Sequence, residues 1–189
     1  MAVATMQAEA HAEVRRPSIN QAGLWLFFLS ECFLFSALAT ARFVIAGTDR
    51  PEDLNQFLGL AITSILLLSS LTAYRSEAAI ARGDRAAFLR NLLATIALGL
   101  LFVAGVGVEW TTAEFELSEP FGTAFFSMTG LHASHVVSGI IMLALVYWLG
   151  RRGHFSAKSY WGAEATIKYW HFVDVVWVFF YPALYLVSW

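Results

Sequence analysis

Five ionisable side chains lie within or beside long apolar stretches of the sequence, where they could transfer protons or bind a metal ion. They are Glu31, His132, His135, His171 and Asp174. Placing a charged side chain in hydrocarbon costs at least ~2.5 kcal/mol on insertion scales, so each of these residues requires an explanation. A carboxyl group avoids much of that cost by holding a proton. We therefore treat this set as the candidate functional residues.

The first three residues are expected at a similar depth. Glu31 lies about nine residues into its apolar segment, which is ~14 Å along a helix and near the middle of a membrane. His132 and His135 are three residues apart and so share one helix face. We expect Glu31 to be buried and protonated at neutral pH, with both histidines as its partners. A protonatable network and polar groups that merely tie helices together are alternatives that the sequence leaves open.

The other pair, His171 and Asp174, also has a spacing of three and is expected near the cytoplasmic end of the last helix. Water or lipid headgroups could reach the pair there, and a simple contact between helices would explain it equally well. Trp170 and Trp177 extend a stripe along the same helix. We assign these four residues to a lipid-binding or helix-packing surface.

A metal site is a further alternative, because a carboxylate and an H-x-x-H pair can bind iron or zinc. Only three of the five histidines lie in or near apolar segments, and Cys32 is the single cysteine. The sequence contains neither a Gly-rich phosphate loop nor a C-x-x-C motif. We therefore expect no metal or cofactor in this chain, and the net charge of -2 gives no reason to expect a nucleic-acid partner.

The elements that must position these residues are long apolar helices. Of the 189 residues, 58% are hydrophobic, and the mean hydropathy is +0.61. A helix of ~20 mostly apolar residues spans the hydrocarbon core. We predict an all-α integral membrane bundle of five transmembrane helices in residues 22–189, preceded by a cytoplasmic tail, residues 1–21. The predicted helices are residues 22–45, 54–74, 88–108, 120–149 and 169–189.

Prolines mark several of the predicted boundaries. Pro17 and Pro51 precede helices, and Pro120 begins one, where its missing N–H is tolerated. Pro182 lies inside the last predicted helix, and we expect a local kink there.

Lys and Arg are distributed unequally between the two sides of the predicted bundle. Because cytoplasmic loops carry an excess of these residues, the amino terminus is predicted to be cytoplasmic and the carboxyl terminus outside. The loop between the third and fourth helices is then an acidic outer loop. The cytoplasmic side holds Arg15, Arg16, Arg75, Arg82, Arg85, Arg90, Arg151, Arg152, Lys158 and Lys168; the outer side holds Arg42 and Arg50. The acidic residues of the outer loop are Glu109, Glu114, Glu116 and Glu119.

Three motifs on these helices resemble subunit III of the haem-copper terminal oxidases. Residues 23–35 read GLWLFFLSECFLF, an apolar helix centred on Ser-Glu. Residues 125–139 read FFSMTGLHASHVVSG, similar to the family's T-G-x-H-x-x-H-V-x-x-G helix. Residues 169–179 read YWHFVDVVWVF, like its closing signature, with Glu164 seven residues before the histidine. Glu109 and the tryptophan after it resemble a Glu-aromatic pair of the same family.

Two departures from the family pattern accompany this resemblance. Many members have seven helices, and this chain lacks the first two, as short quinol oxidase subunits and proteins associated with nitric oxide reductases do. The missing helices form one arm of a lipid-holding cleft, which another subunit would have to supply. Val106 stands where the family often has Gln.

The resemblance implies a subunit of a proton-pumping cytochrome c oxidase that packs on subunit I, contacts subunit II, and holds phospholipid, with haem and copper in the partner subunits. It implies that Glu31 is the family's mid-membrane glutamate and that His132 and His135 belong to its polar helix. Glu164 joins the lipid or interface residues of the closing signature. A bacterial-type plasma membrane is the expected location, and a larger respiratory assembly is a further expected partner.

Other functions remain as alternatives to this one. Within the family, the chain could serve a quinol oxidase or a nitric oxide reductase. Outside the family, a membrane metalloenzyme or a proton-conducting transporter would also explain ionisable groups in apolar helices.

Overall fold

The computed structural model describes residues 2–48, 50–51 and 54–188, with side chains described from Ile19 onwards. The described chain consists of helices and the segments that connect them, with one isolated bridge between Ser156 and Ser159. It divides into two compact units, Met1–Ala37 and Leu38–Trp189. The helices are α1 (Ala2–Ala46), α2 (Gln56–Ala81), α3 (Arg85–Thr112), α4 (Pro120–Arg151) and α5 (Trp161–Tyr181), followed by a π turn, Pro182–Leu186.

The predicted all-helical class is confirmed, and four helices are long and apolar enough to cross a membrane. These spans are Ile19–Ala46, Gln56–Ala81, Arg85–Thr112 and Pro120–Arg151. The helical backbone of α1 already begins at Ala2, so it continues through Pro17. The role of residues 1–21 as a cytoplasmic tail stays a prediction.

The start of the last helix differs from its prediction. α5 begins at Trp161, eight residues before the predicted residue 169, and ends at Tyr181. Glu164 and Lys168 lower the hydropathy of its first turns, and a window based on apolar length therefore missed them. His171 and Asp174 consequently lie near the middle of α5, ten and thirteen residues after its start, and not in its first turns. Which end of α5 is cytoplasmic stays a prediction.

Pro182 interrupts the last helix as predicted. Proline lacks an N–H group and clashes with the carbonyl one turn earlier, which disfavours a continued α-helix. The backbone widens into the π turn, in which the Val187 N–H donates to the Pro182 carbonyl at 3.0 Å. This turn directs Tyr185 to the interior, where its side chain is fully buried.

Side-chain caps and a glycine mark several of the other helix ends. The side chain of Asn55 accepts a hydrogen bond from the Leu58 N–H, and that of Asp84 accepts one from the Ala87 N–H, both at 2.9 Å. These contacts satisfy N–H groups that the first turn of a helix leaves unpaired. Gly83 follows the end of α2 with a φ of +80°, a conformation that glycine adopts without steric cost.

Within the second unit, α5 packs against both α2 and α4, and α3 packs against α2 and α4. The large Trp170 ring of α5 fits where α3 and α4 have glycines. A Cβ added at Gly99 would lie 2.6 Å from the ring, and one at Gly139 would lie 2.9 Å from it. Three helices therefore meet closely around a single indole.

Candidate functional site

Three side chains of α5 are hydrogen-bonded to hydroxyl groups of α2. The Trp170 Nε1–H donates to Ser69 Oγ at 2.9 Å, and the Trp177 Nε1–H donates to Thr63 Oγ1 at 2.9 Å. The Nδ1 atom of His171 lies 2.6 Å from the Ser70 hydroxyl oxygen. Both tryptophans are buried, so the interface that they form lies within this chain.

His132 is a fully buried tie between α4 and α5. Its Nε2 lies 3.1 Å from the carbonyl oxygen of Val173. Because a carbonyl oxygen only accepts, Nε2 carries the hydrogen and donates this hydrogen bond. The centroid of its ring lies 4.7 Å from that of Trp177 and 5.6 Å from that of Phe102. The Nδ1 atom is also buried and has no hydrogen-bond partner among the described residues.

His135 lies one turn further along α4 but has different surroundings. Its Nδ1 is 2.9 Å from the Leu131 carbonyl of the same helix, and the side chain is half-buried. The Tyr169 hydroxyl of α5 donates to the His135 backbone carbonyl at 3.3 Å and lies 2.7 Å from Ser138 Oγ. His132 Nε2 therefore contacts α5, whereas His135 Nδ1 contacts its own helix.

Glu31 belongs to the first unit, whereas both histidines belong to the second. Its side chain is half-buried in the isolated chain. The neighbouring Phe28 packs edge-on against Trp25, with ring centroids 5.7 Å apart, and the Ser30 hydroxyl donates to the Phe27 carbonyl at 2.7 Å. The pairing of Glu31 with the two histidines and its protonation stay predictions.

Asp174 has the most unusual environment of the predicted residues. Its side chain is 4% exposed, and neither carboxyl oxygen has a hydrogen-bond partner among the described residues. The Ser70 hydroxyl of α2 contacts His171, which precedes Asp174 by three residues on the same face of α5. The structure therefore places the two predicted residues on one helix face, with His171 hydrogen-bonded to α2 and Asp174 buried.

A cluster of charged side chains lies nearer to the amino-terminal end of α5 than His171 and Asp174 do. Lys168 forms an ion pair with Glu164 across one helical turn, and Glu77 of α2 interacts electrostatically with both. The exposed fractions of Lys168 and Glu164 are 32% and 23%, so water reaches both side chains. Glu164, predicted as a lipid or interface residue, thus forms an ion pair within α5.

Sequence reasoning missed the partner of Glu109, which lies near the carboxyl-terminal end of α3. The Tyr185 hydroxyl lies 2.7 Å from each of the carboxyl oxygens of Glu109, which is 3% exposed. The next residue, Trp110, donates its Nε1–H to Thr129 Oγ1 at 3.0 Å. The Glu-aromatic pair thus joins α3 to the π turn and to α4. The side chain of Tyr185 points to the interior because of that π turn, and no periodic pattern in the sequence indicates that this side chain is buried.

Within residues 2–48, 50–51 and 54–188, no group of three or more His, Cys, Asp or Glu side chains is arranged to hold a metal ion. The expectation that the chain carries no cofactor stays a prediction. What the arrangement provides is a set of buried hydrogen bonds between helices and one buried carboxyl group without a donor.

Long apolar helices joined by buried polar contacts define an α-helical, multi-pass membrane protein. Residues 2–189 match the pattern of a single protein family, cytochrome c oxidase subunit III. The chain is 33% identical over 187 residues to the cytochrome c oxidase subunit 3 of Synechocystis sp., with 95% of this chain and 80% of the relative covered. The chain belongs to the cytochrome c oxidase subunit III family, and the predicted resemblance is confirmed.

Two further relatives show how chain length varies among similar proteins. The cytochrome c oxidase subunit 3 of Thermostichus vulcanus is 31% identical over 194 residues, with 99% of this chain and 94% of the relative covered. That of Neurospora crassa is 39% identical over 176 residues, with 86% of this chain covered but only 65% of the relative. The chain therefore spans about two thirds of the longer relative and nearly all of the shorter one.

Proposed function

We propose that the chain is a non-catalytic subunit of a proton-pumping haem-copper oxidase, in which it stabilises catalytic subunit I, holds phospholipid and supports proton uptake. The observation that carries the proposal is the family match over residues 2–189. Haem and copper belong to partner subunits in this proposal, and cytochrome c is the electron donor. Subunit II and a larger respiratory assembly are the further partners.

The exposed surface of α1 supports a role in assembly. Only 11% of the most apolar window of its span is buried, compared with 28–33% for the other three spans. Trp25, Leu26 and Phe33 are each about two thirds exposed or more. An apolar helix surface of this kind suits lipid or another transmembrane helix. Glu31 lies on this helix.

The proposed orientation follows the distribution of charge, with the amino terminus cytoplasmic, α5 as a fifth span and the carboxyl terminus outside. We place the protein in a bacterial-type plasma membrane. A neighbouring subunit supplies the second arm of the lipid cleft in this proposal.

Purification of the tagged chain from its native membranes, in mild detergent, tests the proposal. We expect it to co-purify with a larger subunit that shows haem absorption and contains copper, together with phospholipid. Haem or copper that remained stoichiometric with this chain after separation of the subunits would contradict a non-catalytic role. Comparing reduced cytochrome c with quinol as substrate of the same preparation identifies the donor, and preferential quinol oxidation would move the chain to the quinol oxidase branch.

A further inference from the structure

A cavity of about 590 Å³ lies at the end of the bundle where α1 ends and α4 begins. Arg50, from the connection between α1 and α2, and Glu119, the residue before α4, contribute charged side chains to its lining. The apolar part of the lining includes Ile45, Pro51 and Phe121. A cavity of this size lies within the range of sites that bind small molecules.

Arg42 joins two parts of the cavity wall. Its side chain is fully buried. Its Nη1 donates to the Gly47 carbonyl at 2.8 Å, and its guanidinium carbon lies 4.8 Å from the centroid of the Phe121 ring. Gly47 and Phe121 both line the cavity, so its wall is held by contacts between the end of α1 and the start of α4.

The guanidinium group of Arg50 has donors that the described residues leave unused. Its Nη1 donates to the Tyr185 carbonyl. The side-chain oxygen of Gln56, when turned towards Arg50, accepts from Nη1 and Nη2. Nε is enclosed by protein and has no hydrogen-bond partner among the described residues. Because Nε–H and the second N–H of Nη2 lie along one edge of a planar group, this edge can bind two oxygens of a phosphate at once.

Glu119 provides the opposite charge in the same cavity. Its side chain is exposed and does not cap α4. Within the part of the chain that the structure describes, Glu119 and Arg50 form no ion pair, either with each other or with a third residue. Two opposite charges that share a cavity without pairing can bind the two ends of a zwitterion, in which a short linker separates a phosphate from an ammonium group.

The end of α1 presents apolar side chains beside this cavity. Phe43, Val44 and Ile45 are 40%, 79% and 50% exposed, and Ile45 also lines the cavity. They belong to the last turns of a helix that is long and apolar enough to cross a membrane. A molecule whose headgroup fills the cavity can therefore place its acyl chains against this helix end. This arrangement favours a membrane lipid over a water-soluble phosphate compound.

We propose that this cavity binds the headgroup of a phospholipid that carries a primary amine, such as phosphatidylethanolamine. Arg50 donates to the phosphate, Glu119 accepts from the ammonium group, and an acyl chain lies against residues 43–45. The site assigns a headgroup chemistry to the phospholipid of the proposed function, and its physiological role rests on that function. Because Arg50 also donates to the Tyr185 carbonyl, the bound lipid is connected to the π turn through one side chain.

Photo-crosslinking of the intact oxidase complex in nanodiscs tests the site. The discs contain phosphatidylcholine and an increasing fraction of phosphatidylethanolamine that carries a diazirine near the headgroup end of one acyl chain. Mass spectrometry measures the labelling of residues 43–45. Bulk lipid contributes a background that rises linearly with the fraction of probe, whereas a site saturates. We expect a saturable component in the unaltered complex, and linear labelling alone would overturn the proposal.

Variants of the two charged residues test the assigned roles. Arg50→Gln should raise the half-saturating fraction of probe at least about tenfold, because a charge-assisted hydrogen bond to the phosphate is lost. Glu119→Gln should raise it about twofold to fivefold, since an exposed ion pair contributes less. Arg82→Gln and Glu114→Gln remove exposed charges that do not line the cavity, and both should bind as the unaltered complex does. An Arg50→Gln complex that saturates as these controls do would contradict the site.

Two further probes test the chemistry of the ligand. A phosphatidylglycerol probe has no ammonium group, so Glu119→Gln should not weaken its binding, and an equal loss for both probes would refute the role of Glu119. Glycerophosphoethanolamine, which is the headgroup without acyl chains, should not displace the lipid probe at equal concentration. Displacement would assign the cavity to a water-soluble compound and overturn the assignment to a lipid.

The preparations also separate this site from the proposed function. If the chain fails to co-purify with a haem-bearing subunit, the proposed function is contradicted, while labelling can still be measured on the full chain that is recovered. If co-purification succeeds and labelling does not saturate, only the lipid site is contradicted. Should Arg50→Gln fail to fold because it also loses the Tyr185 contact, Glu119→Gln and Glu114→Gln decide the question, since both change exposed side chains.

Discussion

Tyr185 places its hydroxyl oxygen 2.7 Å from both carboxyl oxygens of Glu109. The phenol has one hydrogen, which the two acceptors share, and Glu109 is otherwise enclosed by protein. The ring of Tyr185 lies so close to α2 that a Cβ added at Gly59 would be 2.4 Å from it. One aromatic residue of the π turn therefore holds the end of α3 against α2.

We expect Tyr185→Phe to lower the free energy of unfolding by about 1–3 kcal/mol, because it leaves a buried carboxyl without its donor. The measurement is the thermal unfolding midpoint of the purified protein in detergent. Tyr181→Phe is the matched control, since this half-buried ring stacks on Tyr185 at 5.1 Å without contacting Glu109. Equal losses in both variants would show that the hydrogen bond from Tyr185 to Glu109 makes no specific contribution to the stability of this end of the bundle.

Gly139→Ala should destabilise the bundle by about 1–3 kcal/mol, because the new methyl group overlaps the buried ring of Trp170. Gly107→Ala is the control, since no atom lies within 4 Å of its added Cβ. That change should be neutral or stabilising by up to about 1 kcal/mol, as alanine favours a helix interior. Comparing the two midpoints of thermal unfolding checks the prediction, and a Gly139→Ala protein as stable as the control would refute the close packing.

Arg85 links the start of α3 to the end of α4. Its Nε–H donates to the Gly150 carbonyl at 2.9 Å, and its Nη2 donates to the Arg151 carbonyl. Arg85→Ala should cost about 1 kcal/mol of stability, because carbonyl groups at a helix end lose their donors. Arg82→Ala removes an exposed cation nearby and should have a smaller effect. Limited proteolysis between α4 and α5 provides a second measurement, and unchanged cleavage in Arg85→Ala would count against the contact.

Glu31→Ala is expected to shorten the period over which the oxidase complex sustains turnover more than it lowers the initial rate, because the proposed role of Glu31 supports catalysis instead of performing it. Oxygen consumption followed from the first turnovers to inactivation measures both quantities. Cys32→Ser changes the next residue, which is exposed, and serves as control. Equal proportional losses in rate and endurance would contradict this role.

The helices and their apolar spans could be predicted because membrane-crossing length is a property of consecutive residues. The start of α5 could not, since Glu164 and Lys168 are polar yet helical and pair with each other across one turn. The error displaced His171 and Asp174 from the middle of that helix.

Contacts between residues that are far apart in the sequence could not be predicted either. His132 and His135 were grouped by their spacing on one helix, but His132 contacts α5 and the imidazole of His135 contacts its own helix. No pattern in the sequence indicated that Tyr185 is buried, because the direction of its side chain depends on how the backbone widens after Pro182. Spacing predicts which residues share a helix face, but not which neighbouring element meets each of them.

The adjacent hydroxyls of Ser69 and Ser70 contact the adjacent residues Trp170 and His171, and Thr63 contacts Trp177 from further along the same helices. Sliding α5 along its axis by one residue, about 1.5 Å, would break all three contacts together. Rotating it would separate the same donors and acceptors. The three contacts therefore fix the register of α5 against α2, and any relative sliding of the two helices requires all three hydrogen bonds to break.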